Sequence, residues 1–103
     1  MKCHCEIPPF NHQHYTELYG GYDNKHGHVE VSQCIKCKQK WIKYLIEEEW
    51  QTNSGRWWRV KLNSSSIEIE DAREFFEKQT LGFFGGSFFG HAGKAFQGKV
   101  RIR

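Results

Sequence analysis

Four cysteines set the terms for this chain. Cys3 and Cys5 form a CxC near its start, and Cys34 and Cys37 form a CxxC a third of the way along. They are its only cysteines. Two short pairs separated by a long insert are the outline of a structural zinc site, where a closed tetrahedron of thiolates takes two ligands from each pair. A CxxC does this readily and a CxC less often. Read this way, one ion ties the N-terminus to the middle of the chain. A structural zinc supplies about 10–16 kcal/mol of apparent binding energy, as much as the whole stability of a small domain. His4, His12 and His14 lie beside the first pair, so a histidine in place of one cysteine stays open.

Two rival uses of the cysteines fit less well. Disulfides belong to secreted mini-proteins, and Met1-Lys2-Cys3-His4-Cys5-Glu6 runs into Pro8-Pro9 without the apolar stretch of a secretory leader. A thioredoxin-type CxxC opens a helix, whereas Lys38-Gln39-Lys40-Trp41-Ile42 after Cys37 reads as a strand. Four reduced thiols without metal are the plain alternative. Unbridged thiols suit a reducing compartment, so the expected location is the cytoplasm.

The chain has 103 residues, which predicts one domain over 1–103: a zinc-knuckle region at 1–38, then a sheet plus helix at 39–103. No apolar run is long enough to cross a bilayer. The net charge of +3 permits contact with nucleic acid without arguing for it. Charge is uneven, with Glu47-Glu48-Glu49 mid-chain and Lys78, Lys94, Lys99, Arg101 and Arg103 towards the end.

Residues 14–20 and 28–33 alternate and favour β structure, with Gly20-Gly21 and residues 23–27 as the turn between them. That hairpin delivers the CxxC. A long strand is expected over 39–50, a turn at 51–55 and a return strand at 56–62. Trp58, Val60 and Leu62 share one face of it. Trp57 takes the other beside Arg59 and Lys61, where it meets a second layer or a partner. Asp71-x-x-Glu74 resembles a capping box opening a helix over 72–79, with Ile69, Ala72, Phe75 and Phe76 as its apolar stripe. Leu81 to Gly90 sets four phenylalanines among four glycines. A bulged strand or tight loop that closes the core is expected there; the alternative is an aromatic patch for a partner. Two motifs fail: Phe88 and Ala95 stand where a phosphate loop needs Gly and Ser/Thr, and Leu81 before Gly82 breaks the RNP1 pattern of RNA-binding sheets. Lys99–Arg103 reads as a closing strand with Val100 and Ile102 inward. The expected fold class is therefore α+β: an antiparallel β-sheet with one packed helix and a zinc-ribbon-like knuckle of four cysteines.

Ser54-Gly55-Arg56-Trp57-Trp58-Arg59, followed by a helix and then Phe84-Gly85-Gly86-Ser87-Phe88-Phe89, resembles small bacterial immunity proteins of polymorphic and contact-dependent toxin systems. The likeness covers the second half and the CxxC segment ending at Trp41. It implies a protein that binds and silences one cognate toxin, with zinc as scaffold. Interfaces favour aromatic residues and arginine at their centres. Trp57, Phe88 and Phe89 are thus candidate contacts, with Glu47, Glu48 and Glu49 as the patch for a basic partner surface. The second reading is a zinc-ribbon nucleic-acid binder, with Arg56, Arg59 and Lys61 on phosphates and Trp57 and Trp58 stacking bases. His12, His14, His26, His28 and His91 are the general-base candidates for an enzyme. No nucleophile elbow, phosphate loop or paired acids accompany them, and no enzymatic activity is expected.

Overall fold

A computed structural model describes residues 3–7, 10–25, 27–48, 50, 52–63, 67–99 and 102, with the backbone alone at 91 and 92. Strands β1 (Tyr15–Tyr22), β2 (His28–Cys34), β3 (Lys40–Ile46), β4 (Arg56–Lys61), β5 (Leu81–Gly86) and β6 (His91–Gln97) form one sheet. Its order is sequential and each pairing is antiparallel. Helix α1 (Ala72–Glu77) lies in the long connection between β4 and β5. The fold is α+β as the sequence indicates, and the CxxC hairpin is continuous with the rest of the sheet through the β2–β3 pairing.

Alternation decides which residues are inside. Val29 and Val31 on β2, Ile42 and Tyr44 on β3, and Trp58 and Val60 on β4 occupy neighbouring positions on one face. Ala72 and Phe76 of α1 pack on that face, joined by Leu62 and Ile102. All ten are buried. The Phe76 ring meets Tyr44 edge to face at 6.2 Å. Across the other face run Trp41, Lys43 and Leu45 of β3 and Trp57, Arg59 and Lys61 of β4.

Four local expectations change. Strand β3 stops at Ile46 rather than running to residue 50, because the Ser54 hydroxyl takes over the backbone of Glu48. It accepts from the Glu48 N–H and donates to the Glu48 carbonyl, both at 2.9 Å. Asp71 makes no side-chain cap. It ends a 3-10 turn, Ile69–Asp71, and its φ of −92° and ψ of −4° are helical rather than the extended values a capping side chain needs. Helix α1 ends at Glu77, since Lys78 and Gln79 bond back three residues to Phe75 and Phe76 and tighten the last turn. Among the described residues the last strand is β6 at 91–97, which was not expected, and neither Lys99 nor Ile102 belongs to a strand. Ile102 is buried as expected, and Val100, Arg101 and Arg103 lie outside the described residues.

The Gly/Phe segment is the bulged strand that its composition suggested. The β5–β6 register slips between Phe84 and Gly86. Gly86 has φ +114°, and a Cβ there would collide with the Gly55 carbonyl oxygen. Only glycine fits both the backbone and the space. Gly27 answers a different need: a Cβ on it would run into the Tyr44 ring. This close approach lets Asp23 reach under the turn. Its carboxylate accepts from the N–H of Gly27 at 2.8 Å, from the N–H of Lys25 at 3.0 Å, and from the Tyr44 hydroxyl.

Candidate metal centre

The two cysteine pairs meet at one end of the sheet. Cys34 closes β2, and its carbonyl accepts from Lys38 at 3.0 Å while its N–H donates to Gln39 at 2.9 Å. This tight turn carries Lys38 at φ +66°. Cys3 is extended, and Cys5 sits in a 3-10 turn, His4–Glu6. The Ile35 N–H donates to the His14 carbonyl at 3.0 Å, which ties the knuckle to the N-terminal arm.

The sulfurs of Cys3 and Cys34 are 3.7 Å apart and those of Cys5 and Cys37 are 3.5 Å apart; all four lie within 4.8 Å of one another. A tetrahedron with metal–sulfur bonds of about 2.3 Å has edges of about 3.8 Å. The four side chains can therefore hold a metal ion. Cys5 and Cys34 are buried, Cys3 is half-buried and Cys37 is exposed.

The surroundings favour thiolate at Cys34, while the Cys37 thiol is held above its ordinary value. Burial works against ionisation of Cys34, but the N–H groups of Cys37 and Lys36 point at its sulfur and outweigh it, bringing this thiol down to about 7. Burial pushes the Cys5 thiol up, and neighbouring Cys37 adds to this; the Trp41 indole N–H acts against both. That N–H is buried with no other hydrogen-bond partner. A metal-bound thiolate at Cys5 gives it an acceptor, so the donor set fits an ion.

Four cysteines supply a complete ligand set, and His4 lies beside it. The His4 nitrogens stay 4.0 Å from the sulfurs of Cys3 and Cys34, and the ring packs edge to face on His14 at 4.3 Å. His12 and His14 are exposed on their own 3-10 turn.

Arg59 was expected to face outward and is instead only 5% exposed. Its guanidinium is caged by the rings of Tyr15 at 4.3 Å and of Phe10 and Trp41 at 4.5 Å each. Burial lowers its pKa, opposed by the fields of Tyr15, Cys5 and Glu30. Nε and Nη2 are buried without hydrogen-bond partners. Each such donor costs about 1–3 kcal/mol. The aromatic–basic stripe is thus largely folded into the protein rather than displayed as an open row. Arg56 is buried with Nη1 donating to the Ser54 carbonyl, Lys61 pairs with Glu6 at 2.6 Å, and Trp58 is 1% exposed.

The candidate contacts divide. Glu47 and Phe88 are exposed, and Glu48 is half-buried. Phe89 packs into the core, 4.9 Å from Phe84 and 5.8 Å from Trp58. Trp57 lies on the opposite sheet face, 5.9 Å from Phe10. Glu49 lies outside the described residues. Two exposed aromatics escaped sequence reasoning. Tyr22 and Trp50 are 71% and 78% exposed, and Phe88 is 51% exposed. The register aligns Tyr22 with His28, His28 with Leu45, Leu45 with Trp57 and Trp57 with Gly85. These aromatics therefore sit at the tips of the three hairpins β1–β2, β3–β4 and β5–β6, at the end remote from the cysteines. Their signal was a large aromatic ring set in turn-forming sequence. The Phe88 N–H donates to the Gly55 carbonyl at 2.8 Å, and Arg56 lies over the Phe88 ring at 5.0 Å, which fixes two of the tips to each other.

No protein-family model, no curated protein and no solved structure matches this chain. Among the described residues, no helix is long and apolar enough to cross a membrane.

Proposed function

We propose that this chain is a zinc-stapled binding protein of the immunity type, which docks a cognate bacterial toxin in the cytoplasm with its three hairpin tips. The observation that carries this reading is the set Tyr22, Trp50 and Phe88, exposed together at the end of the sheet away from the metal centre. Large aromatics anchor interfaces, and exposed Glu47, in the β3–β4 connection that carries Trp50, adds a polar contact. Four soft thiolate donors in a tetrahedral arrangement suit zinc. With all four ligand positions supplied by cysteine, no position is left open for substrate, so the metal is structural and supports binding rather than metal-centred catalysis.

The test uses the full chain as bait in a bacterial lysate treated with nuclease, with metal analysis on the same sample. The captured protein must arrest growth when expressed alone and be silenced by co-expression of this chain. Trp50→Ala with Phe88→Ala should weaken capture at least about tenfold with only a small drop in the melting temperature, since Phe88 also carries the Arg56 contact. Capture that is indifferent to both substitutions overturns the docking surface. Recovery of nucleic acid alone, lost as salt rises, supports the zinc-ribbon alternative instead.

A further inference from the structure

We infer that the cleft on the sheet face opposite α1 binds a small organic monocarboxylate, held by Arg59 and Lys43. The cleft has a volume of 620 Å³, the size of a small-molecule site, and both cations line it. Lys43 and Arg59 are directly opposed on β3 and β4, with Glu30 next along the row on β2. Glu30 is taken by Lys43 at 3.9 Å. Among the described residues, no carboxylate lies within ion-pair distance of Arg59. Arg59 lines this cleft, and its Nε and Nη2, the edge that matches a carboxylate, are donors without a hydrogen-bond partner.

The walls narrow the ligand class. Glu17 and Glu30 offset Lys43 and Arg59, with His12 also in the lining, so the cleft lacks the strong positive excess a phosphate dianion needs and suits a single negative charge better. Ser32 offers a hydroxyl, and Trp57 and Phe10 offer apolar rings for a flat body. The ligand is thus a monoacid with an aromatic or similarly planar group. This inference does not rest on the toxin reading; neither Trp50 nor Phe88 lines the cleft.

The experiment titrates the full chain with benzoate, phenylacetate, benzamide and inorganic phosphate, following the Arg59 Nε–H signal by NMR. Benzoate or phenylacetate should shift that signal saturably, and benzamide should bind at least about tenfold more weakly, since it lacks the charge. Arg59→Lys should lose about tenfold or more, because an ammonium cannot offer the paired donors. Should Arg59→Lys fail to fold, Lys43→Met keeps the test, with an expected loss of about threefold or more from a half-buried partner charge. The inference is overturned by any of three results. They are no saturable shift below about 10 mM of either acid, benzamide or phosphate binding as tightly as benzoate, or unchanged affinity in both variants.

Discussion

The sulfur of Cys5 lies 3.5 Å from that of Cys37, 32 residues further along the chain. A metal ion held between them would make that proximity strongly stabilising, whereas thiols in van der Waals contact contribute little. Replacing Cys34 and Cys37 together by serine, or stripping metal with a strong chelator, should lower the melting temperature by at least about 20 °C. Calorimetry with elemental analysis checks this: near one zinc per native chain is expected, and an unchanged melting temperature removes the metal from the account.

The Asp23 carboxylate works under the opposite constraint. Burial raises its pKa, but the Tyr44 hydroxyl and the N–H groups of Gly27 and Lys25 hold it below its ordinary 3.8. The unfolded chain therefore binds this proton more readily than the folded one in acid. The resulting stability is fully present above the ordinary value and is lost as pH falls through the lowered one. Asp23→Asn should flatten this acid limb. Tyr44→Phe should cost about 1–3 kcal/mol near neutrality by denaturant unfolding, since a buried acceptor loses its donor.

Phe76 is fully buried between α1 and the sheet. Phe76→Ala should cost about 3–5 kcal/mol, enough to leave a domain of this size marginal. Urea unfolding measures it, and a loss under about 1 kcal/mol, far below the usual range, would mean the helix does not cover that face.

Gly86 and Gly90 form a matched pair for the bulge. Both have positive φ, but a Cβ at Gly90 meets nothing within 4 Å, whereas one at Gly86 collides with the Gly55 carbonyl. Gly90→Ala should cost about 1 kcal/mol from the backbone alone, and Gly86→Ala clearly more. Equal losses in thermal scans would show that the β5 bulge yields freely.

The cysteines were legible because ligand spacing is a local property of the chain. Strands β2, β3 and β4 were legible because central strands bury one face, and Val29, Val31, Ile42, Tyr44, Trp58 and Val60 repeat with period two. Strand β6 is an edge. Lys94 and Ala95 are exposed, Gly93 and Phe96 only partly covered, and no alternation marks it. Arg59 escaped for another reason: a positive side chain between Trp58 and Val60 reads as solvent-facing until Phe10, Tyr15 and Trp41 arrive from three other segments to enclose it. The end of β3 turned on one hydroxyl, that of Ser54, which no periodicity records.

The strictly sequential order of the strands has a kinetic meaning. Every pairing joins neighbours in the chain, so the sheet can assemble hairpin by hairpin, with only the α1 excursion adding a longer closure. Low contact order of this kind places folding on the fast side for a β-rich domain. Formation of β1–β2 carries Cys34 and Cys37 towards the arm that bears Cys3 and Cys5. An ion taken up by these four sulfurs would then act as a latch, closing on a chain whose register is already chosen.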